Sequence, residues 1–143
     1  MAVNNLSGEL YNAHGLHEPV TVSQRLKHSL EEFGAETNAS VCALVTAEGL
    51  IVSEAMRMGT NIDENLVPAY SASLLHSALK AGDMLKQGDT HTVTLEYERG
   101  RVTMMTVNHD MFLVAIAPLN VSAGFVKAKM EKYAKRIKEI MGS

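Results

Sequence analysis

The stretch "HTVTLEYERGRVTMMTVNHDMFLVAIAP", His91 to Pro118, decides the fold. His91 to Glu98 alternates: Val93, Leu95 and Tyr97 point one way, and Thr92, Thr94, Glu96 and Glu98 the other. That is the period of a strand with one wet face. Val102 to Val107 and Met111 to Ala117 are apolar on both faces, as central strands are. "RG" at Arg99–Gly100 and "NHD" at Asn108–Asp110 leave room only for tight turns, so the three strands form an antiparallel meander.

Working back from the meander, "ASVCALVTAEGLIVSEAM", Ala39 to Met56, reads as a hairpin. Ser40–Thr46 and Leu50–Met56 are rich in Val, Ile and Leu and flank the short "AEG" loop. Three helical patterns separate and flank the strands. In the first, Leu26, Leu30 and Phe33 recur at helical spacing, with Ser23 as the expected cap and Gly34 as the expected end. The second starts after Asn65, with Pro68 in its first turn, and runs to about Lys86. The third has Asn120 as its expected cap and carries Val126, Met130, Tyr133, Ile137 and Ile140 on one face. The order is helix, two strands, helix, three strands, helix. The fold class expected is α+β, a five-stranded antiparallel sheet with helices on both faces. Residues 1–21, broken by Gly8, Gly15 and Pro19, are expected to be a poorly structured or docked tail, and 22–143 a single domain.

The second helix is apolar around most of its circumference. Leu66, Val67, Tyr70, Leu74, Ala78, Ala81, Met84 and Leu85 fill one broad arc, and Ala72, Leu75 and Leu79 extend it round the back. Only Ser73, His76, Lys80 and Asp83 form a polar stripe. A helix resting on one sheet needs one apolar face, so this one is expected to meet a second partner, and another subunit is the natural candidate.

Composition narrows the function. The chain has 143 residues, 46% hydrophobic and 20% charged, with a net charge of −3, which gives no bulk attraction to nucleic acid or anionic membrane. No apolar run reaches the length of a membrane span, so no integral membrane association is expected. The single cysteine and the absence of a signal-like start lead to the expectation of a cytoplasmic protein. Nine Met fill in for a 5% aromatic content with no Trp.

Candidate chemistry is sparse. Cys42 lies in an apolar strand with no cationic neighbour or helix N-terminus to activate it, and reads as a small core residue. "NVSAG", Asn120 to Gly124, resembles a nucleophile elbow but lacks its first Gly and follows a meander. His14 and His17 form an H-x-x-H pair with no further ligands around it. The basic last helix reads as a solvated face, with little aromatic content for base stacking. No Walker loop or Rossmann fingerprint is present. Neither a catalytic role nor a cofactor or metal is therefore expected, and function is expected to lie in surfaces.

"VCALVTAEGLIVSEAM", the long Ala/Ser/Leu-rich helix and "VTLEYERGRVTMMTVNHDMFLVAIAPLNVSAGFVKAKM" together resemble the Roadblock family of dynein light-chain and GTPase-regulator domains, above all its prokaryotic branch. The markers are "EGL" in the first hairpin, "ERG" before the fourth strand, and "AIAP" followed by "GFVKAKM". None is a catalytic signature, and the match spans about Val22 to Met141. The resemblance implies a homodimer, or a heterodimer with a sister Roadblock chain. Its third strands would pair edge to edge and its second helices would pack together, with Thr92, Thr94, Glu96, Leu75 and Leu79 at the interface. It also implies a small Ras-like GTPase as partner, whose nucleotide cycle the module modulates without being an enzyme. Candidate partner-binding residues are Ser73, His76 and Lys80 on the second helix and Arg57, Arg99 and Arg101 in or near turns. The alternatives are a pure assembly scaffold and a PAS- or profilin-like small-molecule sensor.

Overall fold

The computed structural model describes residues 21–142. Its elements are α1 (Val22–Thr37), β1 (Val41–Thr46), β2 (Ile51–Met56), α2 (Leu66–Met84), β3 (Thr92–Glu96), β4 (Arg101–Thr106), β5 (Met111–Ala117) and α3 (Ala123–Ile140). This is the expected order. The expected tail and the His14–His17 pair lie outside the described residues, apart from Thr21.

The five strands form one antiparallel sheet in the order β2-β1-β5-β4-β3. The meander β3-β4-β5 is contiguous, and β1 docks on its free side against β5, leaving β2 and β3 as the two edges. Local turn chemistry sets these registers. Gly49 adopts φ 92° in the β1–β2 turn, a conformation that side-chain-bearing residues avoid. In the β4–β5 turn, the Asn108 Oδ1 accepts from the Asp110 and Met111 amides at 2.8 and 3.0 Å.

Two of the expected helix boundaries are corrected. Thr21, not Ser23, caps α1: its hydroxyl accepts from the Gln24 amide at 3.1 Å, and the Gln24 side chain accepts from the Thr21 amide at 3.0 Å. Gly34 does not end the helix. It lies within α1 facing β1, where a Cβ would stand in ordinary contact with the Cys42 sulfur at 3.5 Å. The helix ends instead at Asn38, in left-handed geometry at φ 57°.

The sheet separates two cores. On one face α1 and α3 pack side by side over Leu44, Met105 and Leu113, with Phe33 and Tyr133 ring centroids 5.3 Å apart. Arg136 bonds Glu32 at 2.6 Å, and Lys129 and Lys132 both lie 3.5 Å from the Glu36 carboxylate, so α1 and α3 are joined by charge as well as by packing. Part of the basic face of α3 is thus engaged within the chain. On the other face, among the described residues, α2 is the one helix that covers Val41, Ala43, Val45, Phe112 and Val114. Asn65 precedes α2 but makes no side-chain cap; the Asp63 side chain accepts from the Asn65 amide instead, at 2.9 Å.

Candidate functional site

The one helix on its face of the sheet, α2, has two apolar sides. Val67, Pro68, Ser71, Ala72 and Leu75 turn into the sheet. The β1–β2 turn lies against this side of the helix: a Cβ at Gly49 would be in ordinary contact with the Pro68 carbonyl at 3.5 Å and the Ala72 Cβ at 3.6 Å. Leu75 is 4% exposed. Expected at a subunit interface, it is a core residue of its own chain, because the sheet takes the minor arc of the helix. The major arc faces outward. Leu66, Tyr70, Leu74, Met84 and Leu85 are all exposed, Tyr70 at 66% and Met84 at 72%. Exposed apolar side chains set along one side of a helix are the kind of surface on which protein partners dock. Leu79 is also exposed. Ser73, His76 and Lys80 are exposed alongside the outward stripe.

The two sheet edges differ. At β2, the Lys27 ammonium donates to the outward carbonyl of Glu54 at 2.7 Å, and the β1–β2 register shifts between Leu44 and Val45. A lysine and an irregularity are the features by which natural edges resist pairing. At β3, the pairing with β4 is regular throughout. The Tyr97 amide donates to the Gly100 carbonyl at 2.8 Å, and the Thr106 amide to the His91 carbonyl at 3.2 Å. In an antiparallel ladder this pattern alternates, so odd-numbered residues bond β4 and the main-chain groups of Thr92, Thr94 and Glu96 face outward. Thr94 and Glu96 are exposed and Thr92 half-buried.

The arginines divide. Arg99 is exposed at the tip of the β3–β4 turn. Arg101, expected to reach out from that turn, is 8% exposed. Its guanidinium donates to the Val121 carbonyl and, at 3.0 Å, to Glu96 Oε1, tying the edge strand to the loop before α3. Arg57 donates to the Asn38 carboxamide oxygen at 2.6 Å and to the Ala39 carbonyl at 3.3 Å, which braces the left-handed end of α1 against β2. Both guanidiniums are engaged within the chain; the turn positions gave no sign of this, since Asn38, Ala39 and Val121 are distant in sequence.

Cys42 is buried, and loss of solvent pushes its thiol up to about 12, against a small opposing pull from Arg57. It has neither the exposure nor the thiolate character of a nucleophile. Ser122, not the expected Asn120, caps α3 by accepting from the Phe125 amide at 3.1 Å, which assigns "NVSAG" to a helix start. Between the C-terminal half of α2 and the β4–β5 turn lies a cleft of about 420 Å³, lined by His76, Leu79, Asp89, His109 and Phe112 among others. Among the described residues no group of three or more His, Cys, Asp or Glu is placed to hold a metal ion. Sequence reasoning passed over Glu54, whose Oε1 is buried without a hydrogen-bond partner. Burial, then the neighbouring Glu64, holds its carboxyl above the ordinary glutamate value, with Lys27 opposing.

Comparison with known proteins agrees with this architecture. The model of the Roadblock/LC7 domain matches residues 26–117. No curated protein matches by sequence. Among solved structures, Myxococcus xanthus MglB superimposes with a TM-score of 0.75 at 20% identity, covering 82% of this chain and 94% of that one. An MglB described with a tetrameric arrangement gives 0.76 at 16% identity, covering 87% and 96%. A Roadblock/LC7 domain from Streptomyces avermitilis gives 0.72 at 16% identity, covering 82% and 98%.

Proposed function

The chain belongs to the Roadblock/LC7 domain family, and from that premise we propose that it is a non-catalytic, dimeric module that binds a small Ras-like GTPase and modulates its nucleotide cycle. One observation carries the reading: a bare, regular β3 edge and an outward apolar stripe on α2 occur in the same small chain, beside a second edge that is blocked. Two chains joined through β3 would continue the sheet across the pair, with two-sided burial for the α2 stripes. The tetrameric arrangement described for one MglB shows that a protein of this fold can self-associate. The partner class rests on what the family resemblance implies. Arg99 is the cation free to reach such a partner from the β3–β4 turn, and Ser73, His76 and Lys80 offer polar contacts beside the α2 stripe.

Light scattering tests the first half. Twice 15.5 kDa is 31 kDa, the mass expected in solution. Thr94→Lys should return it toward 15.5 kDa by setting an ammonium from each chain along the pairing edge. The second half is tested by hydrolysis and nucleotide-exchange assays on Ras-like GTPases that the dimer retains in a pull-down. Retention with unchanged rates would leave an assembly scaffold, and a stable monomer would remove the dimer.

A further inference from the structure

Given the dimer proposed above, the residues of β3 limit the register in which two copies pair. Only Thr92, Thr94 and Glu96 present outward main-chain groups, so a symmetric antiparallel partner must meet them with its own outward residues. We infer that a second copy of this chain docks with Thr94 on the two-fold axis, opposite the partner's Thr94, and with Thr92 opposite the partner's Glu96.

Three considerations select this register. It is the one in which all five residues of β3 are overlapped, so no outward N–H or C=O is left without a partner within the strand. A shift of the axis to Leu95 pairs Thr94 with the partner's Glu96 but drops Thr92 off the end of the partner strand. A shift to Glu96 sets two carboxylates directly opposite each other on one face, and like charges there are destabilising. In the inferred register each Glu96 meets a neutral Thr92 and keeps its own Arg101 at 3.0 Å.

The opposite face agrees. Val93 and Leu95 are half-buried there, on the α2 side, and Val93 packs against that core. The inferred register sets Val93 beside the partner's Leu95, an apolar pair across the junction that covers what the single chain leaves part-exposed. Tyr97, 53% exposed at the strand end, comes opposite the partner's His91.

Single cysteines read the register directly. Opposed residues in a hydrogen-bonded antiparallel pair have Cα atoms about 5.5 Å apart, within disulfide range. The native Cys42 is buried and stays in place, the unmodified chain serving as control. Under mild oxidation Thr94→Cys should form a covalent dimer alone. Thr92→Cys and Glu96→Cys should each stay uncrosslinked alone and crosslink only when mixed. Circular dichroism and light scattering on each reduced variant establish that it is folded and dimeric. Self-crosslinking of Glu96→Cys or Thr92→Cys in preference to Thr94→Cys overturns the register and leaves the dimer standing. A folded but monomeric unmodified chain overturns the dimer itself.

Discussion

The Lys27 ammonium lies 2.7 Å from the main-chain carbonyl of Glu54, so a side chain of α1 occupies an acceptor that an incoming strand would need at β2. Replacing it frees that acceptor. Lys27→Ala should leave folding stability within about 1 kcal/mol, the usual net value of a hydrogen bond. It should also give species heavier than 31 kDa, twice the 15.5 kDa chain mass, at high concentration. Concentration-dependent light scattering reads this; a distribution identical to the parent's would show that the lysine does not guard the edge.

Arg101 should matter for the fold. Its side chain is nearly buried and satisfies the Val121 carbonyl as well as Glu96. Arg101→Ala should cost about 1–3 kcal/mol in urea unfolding, because a part-buried carbonyl loses its donor and packing is lost. Lysine should not restore it, since one ammonium cannot span both acceptors in the planar geometry of the guanidinium. Glu96→Gln should cost well under 1 kcal/mol, as its carboxylate is largely exposed.

The two sides of α2 should separate in a mutant pair. Leu75→Ala removes a core side chain and should cost about 2–5 kcal/mol of stability. Tyr70→Ser, on the outward side, should change monomer stability by about 0.5 kcal/mol or less. Its effect should appear in sedimentation as a weakened dimer. Equal losses of stability for both would contradict the assignment of the two faces.

Glu54 links stability to pH. Its carboxyl is raised in the fold, by burial first and by Glu64 second. The folded state therefore holds the proton more tightly than the unfolded chain does. The stability that the protonated group contributes is fully present below the ordinary glutamate value and is lost as pH rises through the raised folded value. Glu54→Gln should remove that slope and make the protein more stable than the parent at neutral pH. Chemical denaturation across pH 4–8 follows it; parallel curves for parent and variant would exclude the group.

Cys42 should be silent to thiol reagents in the native protein and react fully in denaturant, given its burial and a thiol pushed up to about 12. Reaction at the rate of a free thiol under native conditions would require that β1 opens readily.

The strands, their turns and the element order were legible because alternation and turn chemistry act over a few residues. What periodicity left open was a choice between near-equals. Nothing in the helical wheel of α2 says which of two apolar arcs the sheet will take; in the fold Val67, Ala72 and Leu75 go in while Leu66, Tyr70 and Leu74 stay out. Gly34 was misleading as a helix end because the left-handed turn that stops α1 falls at Asn38 instead. Arg57 and Arg101 looked like free cations because the carbonyls they satisfy belong to Asn38, Ala39 and Val121, far away in the chain.

The unequal edges have a further meaning in the terms of polymer chemistry. A chain with two open edges is bifunctional and grows into ladders without limit. Among the described residues Lys27 lies over one edge and β3 is open, so under the dimer proposed above the chain is monofunctional toward strand addition. It would then couple once, and coupling would consume the reactive end. Raising its concentration then shifts the balance toward the coupled form, and the product stays finite.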